Sequence, residues 1–402
     1  MAVSVQSAAV RGVDLGDPAF WRLPAELRAA AFARLRERSG PVGFTDRATG
    51  RRCWALVRHA DVTAASRAPE VYLSGAGGPE PARWVRAVFG DSMANLDDPR
   101  HADLRRVVGR AFTPRLLAAV ERDVRDTAAE LVDRLERERP TDFVGAVAAE
   151  LPFRVICTMM GVPPERRRRI RPRTDRAATP AGPDRPDLRT LAAMRWTAAA
   201  LGRERRRRPA GDLLSALVTA DADGRKLSSR ELGAFFALLL VTGVQTTRDA
   251  LAHGLHLLTA HPEQRALLLG DLDAHLGGAV EEIVRYSTPV VQRRRTVAVD
   301  HRLSGIRLAA GDQVVLCYGS ANRDEAVFAD PDAFDITRSP NPHLGYGGGG
   351  PHFCLGAHLA RQELRVMFRE LFTRLPELRS TAAPETVPSS FGHRVRALEF
   401  TF

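Results

Sequence analysis

A run of glycines near the C-terminal end constrains this chain more than any other stretch. Five of the six residues from Gly345 to Gly350 are glycine, and Cys354 follows four positions later. Glycine loses the most conformational entropy on folding, so such a run is retained where the backbone needs positive φ or must approach another group closely. The run therefore predicts a loop of defined shape that leads into a cysteine.

A helix is predicted at or just after this cysteine. Leu355, Leu359, Leu364 and Met367 recur at roughly helical spacing, with polar residues between them. Cys354 then lies at a helix N-terminus, where the macrodipole and unpaired N–H groups stabilise a thiolate. A thiolate surrounded by N–H donors suits a haem iron, whereas an isolated cysteine in front of a helix is more often buried and inert.

The residues around the cysteine resemble the ligand loop of the cytochrome P450 superfamily. That pattern is an aromatic residue, glycines, His or Arg, and then a cysteine followed two residues later by glycine. The aromatic residue here, Tyr346, lies one residue further from the cysteine than in most members, as in an actinobacterial subgroup that oxidises sterol or fatty-acid-like substrates. The other matching positions are Gly348, Gly350, His352, Cys354 and Gly356.

This resemblance implies a mainly α-helical fold with a minor antiparallel β-sheet, the α-rich triangular prism of the cytochrome P450 family. It also implies haem b, which is iron protoporphyrin IX, with Cys354 as the metal ligand. The motifs follow one another in family order from about Trp21 to Phe402. We therefore expect one domain over residues 1–402, with residues 1–20 as a poorly ordered lead-in.

A second motif points to an anion. Asp97-Asp98-Pro99-Arg100-His101 opens a helix predicted to run through Arg110, and it places His101 and Arg105 one turn apart on one face. The pair alone is a weak signal. The resemblance implies that both side chains contact the haem propionates, together with Arg295 and His352. Residues 293–295 are all arginine, so the propionate ligand among them is open by one residue.

A long apolar helix is predicted from a capping box at Ser228 and Glu231. Residues 242–247 interrupt it with a glycine and threonines, and a simple kink is the plain interpretation. The resemblance implies instead that Gly243, Gln245 and Thr246 lie beside the oxygen site. The family has an acid where this chain has Gln245, and a glutamine cannot shuttle a proton as a carboxylate does.

Gln245 leaves two functions open. The first is a monooxygenase that hydroxylates or oxidises a hydrophobic small molecule, such as a lipid or a secondary metabolite, with O2. The second is a haem-thiolate enzyme of a biosynthetic pathway that does not hydroxylate and performs group or nitrene transfer, isomerisation or oxidative coupling. Either way, the resemblance places the substrate against residues 74–95, 165–200 and 290–294, with Trp84, Met93 and Trp196 among the apolar side chains.

A third motif is structural. Glu282 and Arg285 are three residues apart on a predicted helix and can form an ion pair on one face. E-x-x-R occurs often by chance. The resemblance implies that Arg338 joins them in a triad that supports the ligand loop, and the loss of one member would leave a buried charge unpaired.

Composition excludes several classes of protein. Four scattered cysteines without C-x-x-C spacing argue against disulfides and structural zinc, and they favour a reducing compartment. The longest apolar run is too short for a membrane anchor, and the first residues do not resemble a signal peptide, so we expect a cytoplasmic protein. The net charge is +11, yet the runs Arg166–Arg169 and Arg205–Arg208 lack interleaved aromatics. They predict solvated helix faces, or a surface for an acidic partner, rather than a nucleic-acid site.

The chain carries no flavin or iron–sulfur cysteine pattern. We therefore expect electrons from NAD(P)H through a ferredoxin reductase and a ferredoxin, and a monomeric enzyme. Among the local elements, the sequence predicts a hairpin over residues 42–57, a functional loop from Ser74 to Pro81 and an irregular, proline-rich segment from Pro172 to Pro186.

Overall fold

The computed structural model of the protein describes residues 13–47, 49–75, 92–178, 188–219 and 227–402. The chain forms two compact units, each assembled from separate stretches. Unit 1 comprises Met1–Pro79, His253–Ala357 and Pro384–Arg396. Unit 2 comprises Glu80–Ala252, His358–Ala383 and Ala397–Phe402.

Unit 1 contains a five-stranded sheet. Its strands are β1 (Val42–Asp46), β2 (Arg51–Leu56), β3 (Tyr72–Leu73), β4 (Arg293–Val297) and β7 (Gln313–Leu316), in the order β1-β2-β7-β4-β3. The hairpin of β1 and β2 is antiparallel, as predicted. β2 and β7 are parallel, and this pairing was not predicted, because a parallel pair has no local turn to announce it.

Both faces of this sheet are covered. Leu56 and Leu316 belong to one buried cluster, and their chain neighbours Val57 and Val315 belong to the other, because successive side chains in a strand point to opposite faces. The second cluster also contains Leu15 and Phe20. Residues 13–20 therefore contribute to the core, although a poorly ordered lead-in was predicted; residues 1–12 lie outside the described part.

Unit 1 also contains helices and two small strand pairs. β5 pairs with β6 and β9 pairs with β10, where these strands are His301–Leu303, Ile306–Leu308, Glu385–Val387 and Arg394–Ala397. The helices are α1 (Ala25–Arg36), α2 (His59–Arg67), α11 (Pro262–Gly270), α12 (Leu272–Ser287) and α13 (Tyr318–Ala321).

Unit 2 is almost wholly helical. β8 (Arg379–Ser380) and β11 (Phe400–Thr401) form its strand pair. Its helices are α3 (Arg100–Ala111), α4 (Pro114–Glu138), α5 (Glu150–Met159), α6 (Pro164–Ala178), α7 (Leu188–Arg207), α8 (Leu213–Thr219), α9 (Ser229–Leu238), the first half of α10 (Val244–Ala260) and most of α14 (Ala357–Arg374). A mainly α-helical chain with small sheets is therefore confirmed.

The capping box of the long apolar helix is present. The Ser228 hydroxyl accepts from the Glu231 N–H, and the Glu231 carboxylate accepts from the Ser228 N–H. One π-helical turn, Leu239–Gly243, joins α9 to α10. It coincides with the threonines and glycine that interrupt the apolar pattern, since Thr242 donates to the Leu238 carbonyl and widens the turn.

Two local predictions need correction. α6 runs through Pro172, so the irregular segment predicted from that residue is wrong as far as Ala178; residues 179–187 and 76–91 lie outside the described part. The arginine runs are not purely solvated either. Arg167 donates to the Val162 carbonyl, and Arg205 pairs with Asp212 at 2.5 Å, so these two members hold unit 2 together.

A carboxyl group is buried in the interior of unit 2. Glu363 on α14 is 2% exposed, and burial raises its pKa to about 8 despite a hydrogen bond with Thr247. The folded protein therefore holds a proton that the unfolded chain releases near pH 4.5. Stability contributed by this group falls as pH rises from about 4.5 to about 8, and does not fall further above that.

We predict that Glu363→Gln removes this loss. The variant should match the parent near pH 4.5 and exceed it at pH 8 by a few kcal/mol at most, since one pKa unit corresponds to about 1.4 kcal/mol. Denaturant unfolding at several pH values measures the difference. The exposed Glu377→Gln is the matched control and should show no pH-dependent gain. A Glu363→Gln curve parallel to that of the parent would contradict the assignment.

Candidate active site

The glycine loop of unit 1 has the shape that its sequence requires. Gly347, Gly349 and Gly350 have φ values of +105°, +86° and +74°, which side chains with a Cβ rarely adopt. A Cβ at Gly348 would lie 2.4 Å from the Ser66 hydroxyl oxygen, and one at Gly350 would lie 2.3 Å from the Ser66 carbonyl oxygen. The loop therefore packs directly against α2, and only glycine fits there.

Cys354 differs from the other cysteines in exposure. Cys53, Cys157 and Cys317 are buried, whereas Cys354 is exposed. Burial raises the pKa of Cys157 and of Cys317 to about 12, so both remain protonated thiols. Cys354 is therefore the one cysteine of this chain whose sulfur a ligand can reach.

Backbone hydrogen bonds hold this cysteine in place. Its N–H donates to the Tyr346 carbonyl at 2.9 Å, and the Phe353 N–H donates to the Gly350 carbonyl at 3.2 Å. These two amides are used by the backbone, so N–H donors to the sulfur would have to come from other residues of the loop or of the helix start. α14 begins at Ala357, just after the cysteine, as predicted.

The surroundings of Cys354 fit a haem group. A soft, accessible sulfur is the donor that haem-thiolate ligation needs. A Cβ added at Gly356 would meet no atom within 4 Å, so no packing of unit 1 requires glycine there. The space beside Gly356 is open, and a glycine at such a position lets a flat ligand approach the backbone closely.

The three arginines of β4 have different surroundings. Arg294 donates to Asp46 at 2.6 Å, and alternation along the strand puts Arg293 and Arg295 together on the opposite face. The guanidinium of Arg293 lies 4.6 Å from the Phe391 ring centroid. Desolvation lowers the pKa of Arg293 to about 10, and the electrostatic influence of Tyr318 and Cys354 acts in the opposite direction. Arg294 is thus committed to a carboxylate, and the other two share a face.

Glu282 and Arg285 form a fully buried pair in unit 1. Arg285 donates twice to the Glu282 carboxylate, at 2.7 Å each. Its remaining N–H groups donate to the carbonyls of Asn322, Pro331 and Ala333. The pair therefore fastens α12 to the segment that leads into the glycine loop.

The same carboxylate holds two further side chains. Arg338 donates to Glu282 at 3.4 Å, and Asn341 donates to it at 3.0 Å. The Asp335 N–H donates to it as well, at 2.9 Å. Arg338 thus occupies the third position of the triad, and its guanidinium also donates to the Ala329 carbonyl. Asn341 and the Asp335 amide carried no sequence signal, because both are reached through an irregular segment.

His101 and Arg105 lie on α3 in unit 2. His101 is 2% exposed, and its Nδ1 lies 3.3 Å from an Asp98 carboxylate oxygen. Desolvation lowers the pKa of His101, Asp98 opposes this, and the charge of Arg105 lowers it further. A neutral imidazole that donates to Asp98 through Nδ1 has an acceptor at Nε2. It can donate to an anion there only after it gains a proton, which the anion itself would favour.

The glutamine of α10 has a carboxylate partner that the sequence reading missed. Gln245 and Asp249 lie one helical turn apart, and the Gln245 amide nitrogen donates to both Asp249 oxygens at 3.0 Å. Thr246 donates to the Thr242 carbonyl at 2.8 Å. A Cβ on Gly243 would come within 3.3 Å of Ile156, so the glycine lets α5 approach. An acid four residues after the glutamine was the available signal.

The remaining predicted contacts are mixed. His352 meets the Ser74 hydroxyl at 3.1 Å in unit 1. Met93 is buried, whereas Trp196 on α7 is 70% exposed and faces solvent, contrary to the prediction that it lines a pocket. Trp84 lies outside the described residues.

No helix in the described ranges is long and apolar enough to cross a membrane.

Comparison with known proteins shows the family. The cytochrome P450 family model matches residues 198–376. Methyl-branched lipid omega-hydroxylase of Mycobacterium tuberculosis (strain CDC 1551 / Oshkosh) is 44% identical over 98% of this chain and 95% of that protein. Steroid C26-monooxygenase of Mycolicibacterium smegmatis is 34% identical over 88% of this chain and 83% of that protein.

A solved structure agrees with both relatives. Mycobacterium marinum cytochrome P450 CYP268A2 in complex with pseudoionone superposes with a TM-score of 0.89 and 40% identity, over 98% of this chain and 99% of that one. The fold and the exposed cysteine loop thus define a haem-thiolate oxidoreductase. The chain belongs to the cytochrome P450 family. It is a bacterial-type monooxygenase whose cofactor is haem b.

We predict that Glu282→Gln destabilises the protein by about 3 to 5 kcal/mol, because it leaves the buried Arg285 charge without its carboxylate. Denaturant unfolding of the folded protein measures this loss. Glu281→Gln is the matched control, since the neighbouring side chain is 24% exposed and pairs with His343. Equal losses in the two variants would contradict a special role for the buried pair.

Proposed function

We propose that this monooxygenase oxidises the terminal carbon of a hydrophobic, branched lipid. The observation that carries the proposal is the 44% identity to a methyl-branched lipid omega-hydroxylase over 98% of the chain. The steroid C26-monooxygenase gives independent support, because its name also specifies a carbon near the end of a branched side chain. Both names describe insertion of oxygen at the end of a lipid molecule.

Cys354 is proposed as the axial ligand. Of the chain's four cysteines it alone is exposed, and its loop is held by packing against α2 and by backbone hydrogen bonds. Thiolate donation to the iron supplies the O2 chemistry when haem is bound. The protein's own contribution is to keep the sulfur accessible at one position, and the glycines at 348, 350 and 356 serve that purpose.

Arginine and histidine side chains are proposed to hold the haem propionates. Arg295 shares its face of β4 with Arg293, whereas Arg294 is already paired with Asp46. Arg294 is therefore the least suitable of the three. His101, Arg105 and His352 complete the proposed set. A haem propionate near Nε2 of His101 would raise the pKa of this histidine and make Nε2 a hydrogen-bond donor. The imidazole therefore suits an anion, although it is neutral when no anion is bound.

Gln245, Thr246 and Gly243 are proposed to shape the oxygen side of the haem. Gly243 permits the close approach of Ile156, and the π-helical turn before α10 opens the helix at this level. Glu282, Arg285 and Arg338 are proposed as the structural support of the ligand loop. In each case the geometry within the unit supports the role.

Redox partners follow from the chemistry. We propose a cytoplasmic monomer that receives electrons from NAD(P)H through a ferredoxin reductase and a ferredoxin, because the chain has no flavin or iron–sulfur cysteine pattern of its own. The net charge of +11 favours an acidic ferredoxin. The non-hydroxylating alternative is not favoured, since two relatives that carry functional names are a hydroxylase and a monooxygenase.

Substrate binding tests the proposal. We predict that a methyl-branched long-chain fatty acid or alcohol shifts the Soret band of the purified haem protein at micromolar concentration, and that a short polar acid does not. Reconstitution with ferredoxin, its reductase and NAD(P)H should give an oxidised terminal carbon, identified by mass spectrometry.

Cys354→Ser provides the control for this experiment. It should lose the shifted Soret band of the reduced carbon-monoxide complex, because an alcohol does not replace a thiolate ligand. A variant that keeps this band would contradict the assignment of Cys354. A parent protein that binds no lipid, or oxidises one only in mid-chain, would contradict the proposed substrate.

A further inference from the structure

A carboxylate lies one turn beyond the glutamine that replaces the family's acid. Asp249 and Gln245 are 1% and 8% exposed, and the two hydrogen bonds between them are 3.0 Å long. Both residues belong to α10, where positions four apart share a face. α10 therefore does contain a carboxyl group next to position 245, namely that of Asp249, which accepts hydrogen bonds from the Gln245 amide.

Hydrogen-bond chemistry fixes the direction of that amide. An ionised carboxylate only accepts hydrogen bonds, so the nitrogen end of Gln245 must face Asp249. The amide oxygen is then turned away from Asp249 and is available as an acceptor. If Asp249 gains a proton, it becomes a donor, and the amide turns over to receive it. Gln245 would then direct its N–H groups away from Asp249.

We propose that Asp249 supplies, through the Gln245 amide, the carboxyl function that an acid at position 245 would supply directly. Its charge state decides whether Gln245 offers an acceptor or a donor beside Thr246. Asp249 is in this sense a positioning residue, and the inference rests on the proposed monooxygenase function. It also explains how a chain with glutamine at this position can belong among monooxygenases.

The role leaves the overall reaction balanced. Each turnover consumes one O2, a pair of electrons from NAD(P)H and a pair of protons from solvent. One oxygen atom enters a C–H bond of the substrate, and the other leaves as water. Asp249 gains and loses a proton within the cycle and ends as the carboxylate, so it is neither a reactant nor a net source of protons.

A double-substitution cycle tests the proposal. The four proteins are the parent, Asp249→Asn, Gln245→Glu and the combined variant that exchanges the two functional groups. The measurement is the amount of product formed for each NAD(P)H oxidised, with hydrogen peroxide as the uncoupled product. The combined variant keeps the hydrogen bond in mirror image, because the amide introduced at position 249 can donate to the carboxylate introduced at position 245.

We predict that Asp249→Asn lowers this ratio on the order of tenfold or more in the parent background, within the range of a lost acid–base group. The same change should cost less than about twofold in the Gln245→Glu background, because the carboxyl group is then present at position 245. Equal losses in the two backgrounds, or no loss in the first, would overturn the proposal.

Folding effects can be separated from this role. Asp123→Asn is the matched control in unit 2, since it removes a carboxylate that is partnered with Thr158 and not with Gln245, and its ratio should stay near that of the parent. If Asp249→Asn does not hold haem, the combined variant decides. Its hydrogen bond is kept, so it is compared with Gln245→Glu by product ratio: our proposal predicts ratios within about twofold of each other, and a ratio on the order of tenfold lower in the combined variant would overturn it.

One readout does not depend on turnover. The infrared stretch of carbon monoxide bound to the reduced protein reports the polarity next to the ligand. Asp249→Asn should shift it, the combined variant should shift it less, and Asp123→Asn should leave it unchanged. An unchanged stretch in Asp249→Asn would contradict the link through Gln245. If Asp249→Asn shifts the infrared stretch but the parent oxidises no lipid, only the proposed substrate is contradicted.

Discussion

The buried pair of Glu282 and Arg285 is the interaction on which unit 1 depends most. Both side chains are fully buried, and a charge in that position is tolerated only when every donor and acceptor has a partner. Arg285 meets this condition with Glu282 and three backbone carbonyls. Those carbonyls belong to residues 322–333, an irregular stretch that forms no helix or strand of its own.

The ligand loop inherits its position from this pair. The Leu344 N–H donates to the Asn322 side chain at 2.6 Å, and Asn341 donates to Glu282. The chain is thus fixed immediately before the glycines begin. The glycines then pack against α2, and Cys354 is left exposed at the end. The ionic network around Glu282 therefore fixes the start of the loop that ends at Cys354.

Much of this arrangement could be predicted from the sequence. The glycine run, the cysteine, the helix after it and the E-x-x-R pair are local patterns with a direct physical reason, and the structure contains each of them. The parallel pairing of β2 with β7 and the bond from Asn341 to Glu282 could not be predicted, because each joins residues far apart in the chain. The helix through Pro172 was missed since the four prolines between Arg171 and Arg189 were expected to prevent a continuous helix.

The partner of Gln245 was missed for a different reason. A glutamine in place of an acid indicates lost proton chemistry when the position is considered alone. The structure adds Asp249, whose carboxylate accepts hydrogen bonds from the Gln245 amide. A carboxyl group is therefore present next to the glutamine, one helical turn away. Pairs four residues apart on a buried helix face can be read from a sequence, provided that the partner is sought.

The central claim is that Cys354 would hold the haem of a monooxygenase whose substrate is oxidised by O2 at the end of a lipid. Incubation of the purified protein with ferredoxin, its reductase, NAD(P)H and a methyl-branched fatty acid under labelled O2 tests it most directly. The account predicts one labelled oxygen atom at the terminal carbon of the product. Product formed without O2, or with its oxygen drawn from water, would contradict it.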